Sequence, residues 1–78
     1  MYPAIKKVVA NEDHTLTLDF DNGEKGRLDL KPYLDFGVFR QLKDLQAFKQ
    51  VRIAFDTVEW ATGVDLDPEF VYEKSQKS

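Results

Sequence analysis

Residues 14–30 read HTLTLDFDNGEKGRLDL, and this stretch gives the clearest evidence for a fold class. Apolar and polar residues alternate on both sides of a central Asn-Gly pair. A period of two is typical of β-strands that bury one face. We therefore predict two strands joined by a tight turn. The apolar positions of the two strands are Leu16, Leu18, Phe20, Leu28 and Leu30.

The length of the turn sets the register of this hairpin. A two-residue turn would pair Leu18 with Arg27 and place apolar and charged side chains on the same face. A three-residue loop, residues 21–23, pairs Leu18 with Gly26 instead. It also places Gly23 at the left-handed position that a type I turn followed by a bulge requires. We predict the three-residue loop.

Short helices are predicted between the third and fourth strands. Pro32 suits the first position of a helical turn, and Phe36-Gly37 ends that turn. The apolar residues over 38–51 recur mainly every three positions, which would spread them around a single straight helix. A break near Lys43-Asp44 fits better, with Asp44 capping a second short turn over residues 45–49.

The last third of the chain predicts a second hairpin and a short helix. Residues 51–60 alternate again, and the pattern places Phe55 on the apolar face. Asp67 is expected to cap a helix that begins at Pro68 and runs to about Glu73. A short strand over residues 5–10 precedes all these elements.

Together these elements predict one α+β domain over residues 1–74, with a small antiparallel sheet of four or five strands. Residues 75–78 are predicted to form a disordered tail, because they contain no apolar anchor. A chain of 78 residues is close to the lower size limit for a core that folds unaided. Self-association or a protein partner is therefore expected, with a dimer as the simplest form.

Composition argues against several classes of function. The chain has no cysteine and a single histidine, His14, so a structural zinc site is not expected and no cofactor is predicted. Its only serines, Ser75 and Ser78, lie in the predicted tail, and there is no glycine-rich phosphate loop. We predict a protein that is not an enzyme. The absence of a signal peptide and of a long apolar stretch predicts a cytoplasmic protein with no membrane association.

Charge is arranged in blocks, although the net charge is only −3. Residues 12–35 carry seven acids and three bases, residues 36–52 four bases and one acid, and residues 53–70 five acids and no base. A mixed, solvated surface is the simplest interpretation. A partner-binding surface is the alternative, and direct nucleic-acid binding is not expected because carboxylates flank the basic block. The basic candidates for partner contact are Arg40, Lys43 and Lys49.

The acidic block contains the second set of candidates, in GVDLDPEFVY at residues 63–72. Asp67 and Glu69 are explained by the start of a helix. Asp65 either holds a turn through its side chain or binds a ligand, and a ligand or metal site on these three carboxylates stays open as an alternative.

Aromatic residues are frequent in this chain, and most are expected in the core. Tyr33 and Tyr72 are the candidates for surface contact, since aromatic side chains with a polar end are enriched at interfaces.

Three stretches carry a family resemblance: LTLDFDNGEKGRLDL, GVFRQLKD and TVEWATGVDLDPEFVY. In this order they resemble a family of small bacterial proteins catalogued as domain of unknown function 2442. The resemblance extends from about Ile5 to Tyr72. Ala61 departs from the proline that the family commonly has after the tryptophan, which puts the stiffness of that turn in doubt.

The resemblance implies a compact α+β domain with no established catalytic residues. Some members are fused to a helix-turn-helix DNA-binding domain, and others are encoded beside a second small protein, as in toxin–antitoxin pairs. This chain would correspond to the stand-alone form. Our first hypothesis is a non-enzymatic protein-interaction module, the antitoxin-like member of a two-protein pair. The alternatives are a small-ligand or metal-binding domain and an accessory domain of transcriptional regulation.

Overall fold

A computed structural model describes residues 2–77 and confirms the α+β class. Over these residues an antiparallel sheet of four strands is accompanied by a sheet of two. The strands are β1 Ile5–Ala10, β2 Thr15–Phe20, β3 Lys25–Asp29, β4 Val51–Ala54, β5 Thr57–Trp60 and β6 Gln76–Lys77. The helices are the first 3₁₀ helix Lys31–Tyr33, the second 3₁₀ helix Gly37–Lys43, α1 Leu45–Phe48 and α2 Pro68–Lys74.

The hairpin of β2 and β3 forms the centre of the larger sheet, whose order is β1-β2-β3-β6. Leu18 pairs with Gly26, as the three-residue loop predicted. The Phe20 amide donates to the Glu24 carbonyl at 2.9 Å and closes the loop. Gly23 has a φ of 88°, the left-handed conformation expected of it. The register prediction is confirmed.

The second sheet, β4 and β5, lies beside β1 at the edge of the larger sheet. At one end of this contact the Ile5 amide donates to the Asp56 carbonyl at 3.4 Å. At the other end Lys49 forms an ion pair with Glu12 at 3.7 Å. These two contacts show that β1 and β4 run side by side in opposite directions.

Phe55 lies in the turn of the second hairpin and not on its apolar face, so this part of the prediction is wrong. Ala54 pairs with Thr57, which leaves only Phe55 and Asp56 to reverse the chain. Phe55 has a φ of 57° and is 99% exposed. The alternation of β4 does not continue through the turn, where the period of a strand no longer applies.

The helices α1 and α2 begin at the predicted residues, and each ends within one residue of its predicted end. The Asp44 side chain accepts from the Gln46 amide at 3.1 Å, which caps α1 and separates it from the second 3₁₀ helix. The Asp67 side chain accepts from the Glu69 amide at 2.8 Å and caps α2 in the same way. Because each cap satisfies a helix amide that would otherwise have no partner, both breaks are encoded locally.

The core lies between the inner face of the larger sheet, the second hairpin and α2. Trp60 is fully buried, and its indole Nε1 donates to the Phe48 carbonyl at 2.8 Å. This bond connects β5 with α1. The buried apolar residues are Ile5, Leu16, Leu18, Phe20, Leu28, Leu30, Leu34, Leu42, Phe48, Val58, Trp60, Val64, Leu66 and Val71.

The prediction of a disordered tail is wrong for residues 75–77, while Ser78 lies outside the described residues. Ser75 is only 7% exposed, and β6 pairs with β3 through Gly26 and Arg27. A Cβ atom at Gly26 would lie 3.0 Å from the Cβ of Ser75. The segment is therefore held by backbone pairing and by a close approach that only glycine permits.

Candidate functional site: an aromatic cleft beside two carboxylates

The predicted basic residues do not form an unpaired cationic surface. Lys43, at the end of the second 3₁₀ helix, pairs with Asp35, and Lys49 pairs with Glu12 at 3.7 Å. The hydrogen bond and charge of Lys43, with a further contribution from Arg40, hold the pKa of the Asp35 carboxyl below its usual range. Two of the three predicted cations are thus largely neutralised within the chain.

Tyr72 is half-buried and packs against the core. Its ring meets Phe20 edge to face at 5.2 Å between centroids, and the Lys77 ammonium lies 4.0 Å from its centroid. Its hydroxyl donates to the Glu24 carboxylate. This hydrogen bond raises the pKa of Tyr72 and lowers the pKa of Glu24. The contacts of Tyr72 hold α2 on the sheet.

Asp65 lies in the segment between β5 and α2, where its backbone bridges to Glu59. Its side chain is exposed and makes no hydrogen bond or ion pair with any other residue of 2–77. The proposed side-chain contact to a turn is therefore not seen. The carboxylate of Asp65 is free for an external contact.

Asp65 borders a cleft of about 240 Å³ in which three of the six lining residues are aromatic. Tyr33 comes from the first 3₁₀ helix, Phe39 from the second and Phe70 from the first turn of α2. Tyr33 and Phe70 meet edge to face at 5.2 Å between centroids. The full lining is Tyr33, Phe39, Asp65, Leu66, Asp67 and Phe70.

Local structure explains why these rings remain partly accessible. The capping of α2 by Asp67 places Phe70 next to the segment that carries Asp65. A 3₁₀ helix has three residues per turn, so only about one residue in three faces the core. Phe36 and Val38, in the same segment as Phe39, are 67% and 57% exposed. Neither of these two side chains lines the cleft, so they add exposed apolar surface outside it.

The sequence pointed to only part of this site. The sequence predicts Asp65 and Tyr33 as candidates, whereas it gives no reason to place Phe39 or Phe70 at a site. The structure brings these four together and leaves Tyr72 apart. The available signal was the three-residue spacing of apolar residues, because that spacing leaves some of them off the core face of a short helix.

The cleft combines an apolar lining with two carboxylates, Asp65 and Asp67. One oxygen of Asp67 is occupied by the Glu69 amide. Over residues 2–77 no group of three or more histidine, aspartate or glutamate side chains is arranged to hold a metal ion. Aromatic surface with carboxylates at its rim can bind an apolar group that carries a positive charge. Within the same range no helix is long and apolar enough to cross a bilayer.

Comparison with known proteins places the chain in a family without assigning a function. No curated protein and no solved structure matches it. Residues 5–77 match the family described as protein of unknown function DUF2442. This match covers nearly the whole chain and confirms the resemblance seen in the sequence. The chain belongs to the DUF2442 family.

Proposed function

We propose that this protein is a non-enzymatic interaction module that binds a protein partner through the aromatic cleft. The observation that carries the proposal is the combination of an apolar cleft with the unpaired carboxylate of Asp65 at its rim. Exposed aromatic surface is costly in water unless a partner covers it. Aromatic side chains are also the residues most enriched at binding hot spots.

Charge defines the chemistry of the partner. Residues 53–70 carry five acids and no base, and Asp65 and Asp67 lie at the cleft itself. We therefore expect a partner segment that inserts an apolar side chain flanked by lysine or arginine. Opposite charges at the rim favour encounter and orient the partner.

Binding of a protein partner is the activity expected of the antitoxin-like member of a two-protein pair, and we propose this role in the cytoplasm. The support is the small size of the domain, the absence of cysteine from the chain and its exposed apolar surface. The paired cations Lys43 and Lys49 make the basic segment the weaker candidate for the contact. They also argue against direct binding to nucleic acid.

The test is affinity purification of the tagged protein from its native host at natural expression level. Mass spectrometry identifies co-purifying proteins, and light scattering gives the mass of the complex. The wild type is compared with Asp65→Lys and with Asp21→Lys. Asp21 is a matched control because it is exposed in the loop of the first hairpin.

A stoichiometric partner that is retained by Asp21→Lys and lost by Asp65→Lys supports the proposal. Phe39→Ser, at a ring that lines the cleft, should weaken binding of the same partner, and circular dichroism establishes that this variant is folded. A lone monomer contradicts the proposal. Equal retention of the partner by all variants contradicts the assignment to the cleft.

A further inference from the structure

A second cavity, of about 390 Å³, lies between β3, the first 3₁₀ helix and the C-terminal end of α2. Three cationic side chains line it: Arg27 from β3, Lys31 from the 3₁₀ helix and Lys74 from α2. Among residues 2–77, Asp29 is the only acid in the lining. Asp13 and Asp29 pair with Arg27 and Lys31, so the three cations exceed the two paired acids by one charge on a chain whose net charge is −3.

A hydrogen-bond network holds the Arg27 guanidinium in place. Its Nη2 donates to Oδ2 of Asp13 at 2.6 Å. The other carboxylate oxygen of Asp13 accepts from the Thr15 hydroxyl at 2.6 Å, and Thr15 is only 2% exposed. Asp13 is thus fixed by a buried partner. Because a guanidinium has five N–H donors, this contact leaves most of them free for a ligand.

The two lysines complete the positive lining. Lys31 Nζ lies 3.2 Å from Oδ1 of Asp29 and 3.2 Å from the Asp13 carbonyl oxygen. These contacts keep its ammonium at the groove and leave one of its three donors free. Lys74 forms no ion pair with any residue of 2–77. Its charge is therefore uncompensated by a direct partner.

We propose that this groove binds an oxyanion, namely a carboxylate or a phosphate group. A planar guanidinium beside two ammonium groups matches the several acceptor oxygens of such a ligand. The Gln76 side chain, also in the lining, adds a neutral donor. A nucleic-acid strand is a poor fit, because three cations bordered by Asp13 and Asp29 do not form an extended basic track.

The groove is independent of the aromatic cleft, although Tyr33 contributes to the lining of both. Loss of anion binding would not affect the contact that we propose for Asp65. Conversely, the absence of a protein partner would leave the groove and its network unchanged. The two proposals therefore fail separately.

The experiment is calorimetric titration and thermal unfolding of the full chain with inorganic phosphate and with citrate. Ionic strength is held constant with sodium chloride, since salt screens charge interactions. Lys74→Gln and Lys31→Gln each remove one cation of the groove. Lys25→Gln is the control, because Lys25 also lies on β3 and is exposed but does not line the groove.

We expect saturable binding by at least one anion and a rise in the unfolding temperature, since a ligand that binds the folded state stabilises it. Each groove variant should weaken binding about threefold, the size typical of a charge pair near solvent, and the Lys25→Gln control should bind as the wild type does. Tighter binding of phosphate than of citrate identifies a phosphate group, and the reverse identifies a carboxylate. Both results support the proposal.

Two outcomes would overturn the proposal that the groove binds an anion. The first is the absence of any heat or stabilisation beyond that of sodium chloride at the same ionic strength. The second is an equal loss of affinity in Lys25→Gln and in the groove variants, which would show diffuse attraction to surface charge. Circular dichroism of each variant without anion establishes that it is folded.

Discussion

Tyr72 donates a hydrogen bond from its hydroxyl to Oε1 of Glu24, across 48 positions of sequence. The contact joins α2 to the loop of the first hairpin. Asn22 Nδ2 donates to the same oxygen at 2.6 Å. With two donors directed at it, the Glu24 carboxylate is stabilised in its charged form, and its pKa falls below the ordinary value of 4.5.

The first prediction concerns the change Tyr72→Phe, which removes the hydroxyl and keeps the ring. We expect a lower urea midpoint at pH 7, because Glu24 loses its main hydrogen-bond donor while the ring still packs on Phe20. Folding lowers the pKa of such a carboxyl, so the carboxyl stabilises the fold when the pH is above its pKa in the unfolded state. This stabilisation is lost as the pH falls through its pKa in the folded state. The cost of the substitution should therefore shrink on going from pH 7 to below the depressed pKa of Glu24.

Urea unfolding of the wild type and the variant at several pH values measures this change. Tyr33→Phe is the control, because within residues 2–77 the Tyr33 hydroxyl makes no hydrogen bond to a carboxylate. A cost for Tyr72→Phe that stays constant with pH would show that the hydroxyl acts independently of Glu24.

The contrast between local and distant contacts explains how much of this structure could be predicted. The turn at Gly23 and the caps at Asp44 and Asp67 depend on neighbours within a few residues, so composition and spacing were sufficient. The contact of Tyr72 with Glu24 depends on the position at which α2 packs on the sheet. No local pattern encodes that position.

The candidate site shows the same division. Asp65 was predicted because no helix cap accounted for it. The aromatic neighbours of Asp65 in the cleft were not predicted. The accessibility of Phe39 and Phe70 depends on how the short helices pack against each other. The strand β6 could not be predicted either. It has only two residues, and its pairing with β3 depends on the space above Gly26.

The second prediction concerns that space. A Cβ atom at Gly26 would lie 3.0 Å from Phe20 Cε2 and 3.0 Å from Ser75 Cβ. We expect Gly26→Ala to lower the free energy of unfolding by about 1–3 kcal/mol, as overpacking in a core does. Denaturant unfolding measures the loss.

Combination with Ser75→Gly tests the cause of that loss. The second change removes one of the two crowding atoms, so the double variant should be more stable than the sum of the single changes predicts. Additive losses would mean that Ser75 does not limit the approach of the C-terminal segment to β3.

The third prediction concerns the buried bond from Trp60 to the Phe48 carbonyl. Trp60→Phe removes the donor and part of the volume at a fully buried position. We expect the free energy of unfolding to fall by about 2–3 kcal/mol, because a cavity and an unsatisfied carbonyl are left together. Phe36→Leu is an exposed control that should change stability by no more than about 0.5 kcal/mol. A similar small effect at Trp60 would show that the neighbouring side chains refill the space.

The fourth prediction concerns Phe55, which adopts a φ of 57° in the two-residue turn between β4 and β5. Asp56 does not share the positive φ, so the turn has the pattern in which glycine is favoured at the first position. At 99% exposure the phenyl ring gains nothing from packing within the chain. The backbone strain of a bulky residue in this region is therefore uncompensated.

We expect Phe55→Gly to raise the free energy of unfolding by about 0.5–1 kcal/mol, because the relief of strain exceeds the entropy that glycine loses on folding. Phe55→Ala separates strain from the loss of the ring: it removes the ring but keeps the Cβ atom, so it should not stabilise the fold. Denaturant unfolding of both variants gives the comparison. Equal stabilisation by alanine and glycine would place the cost in the exposed ring, whereas stabilisation by glycine alone would place it in the backbone of the turn.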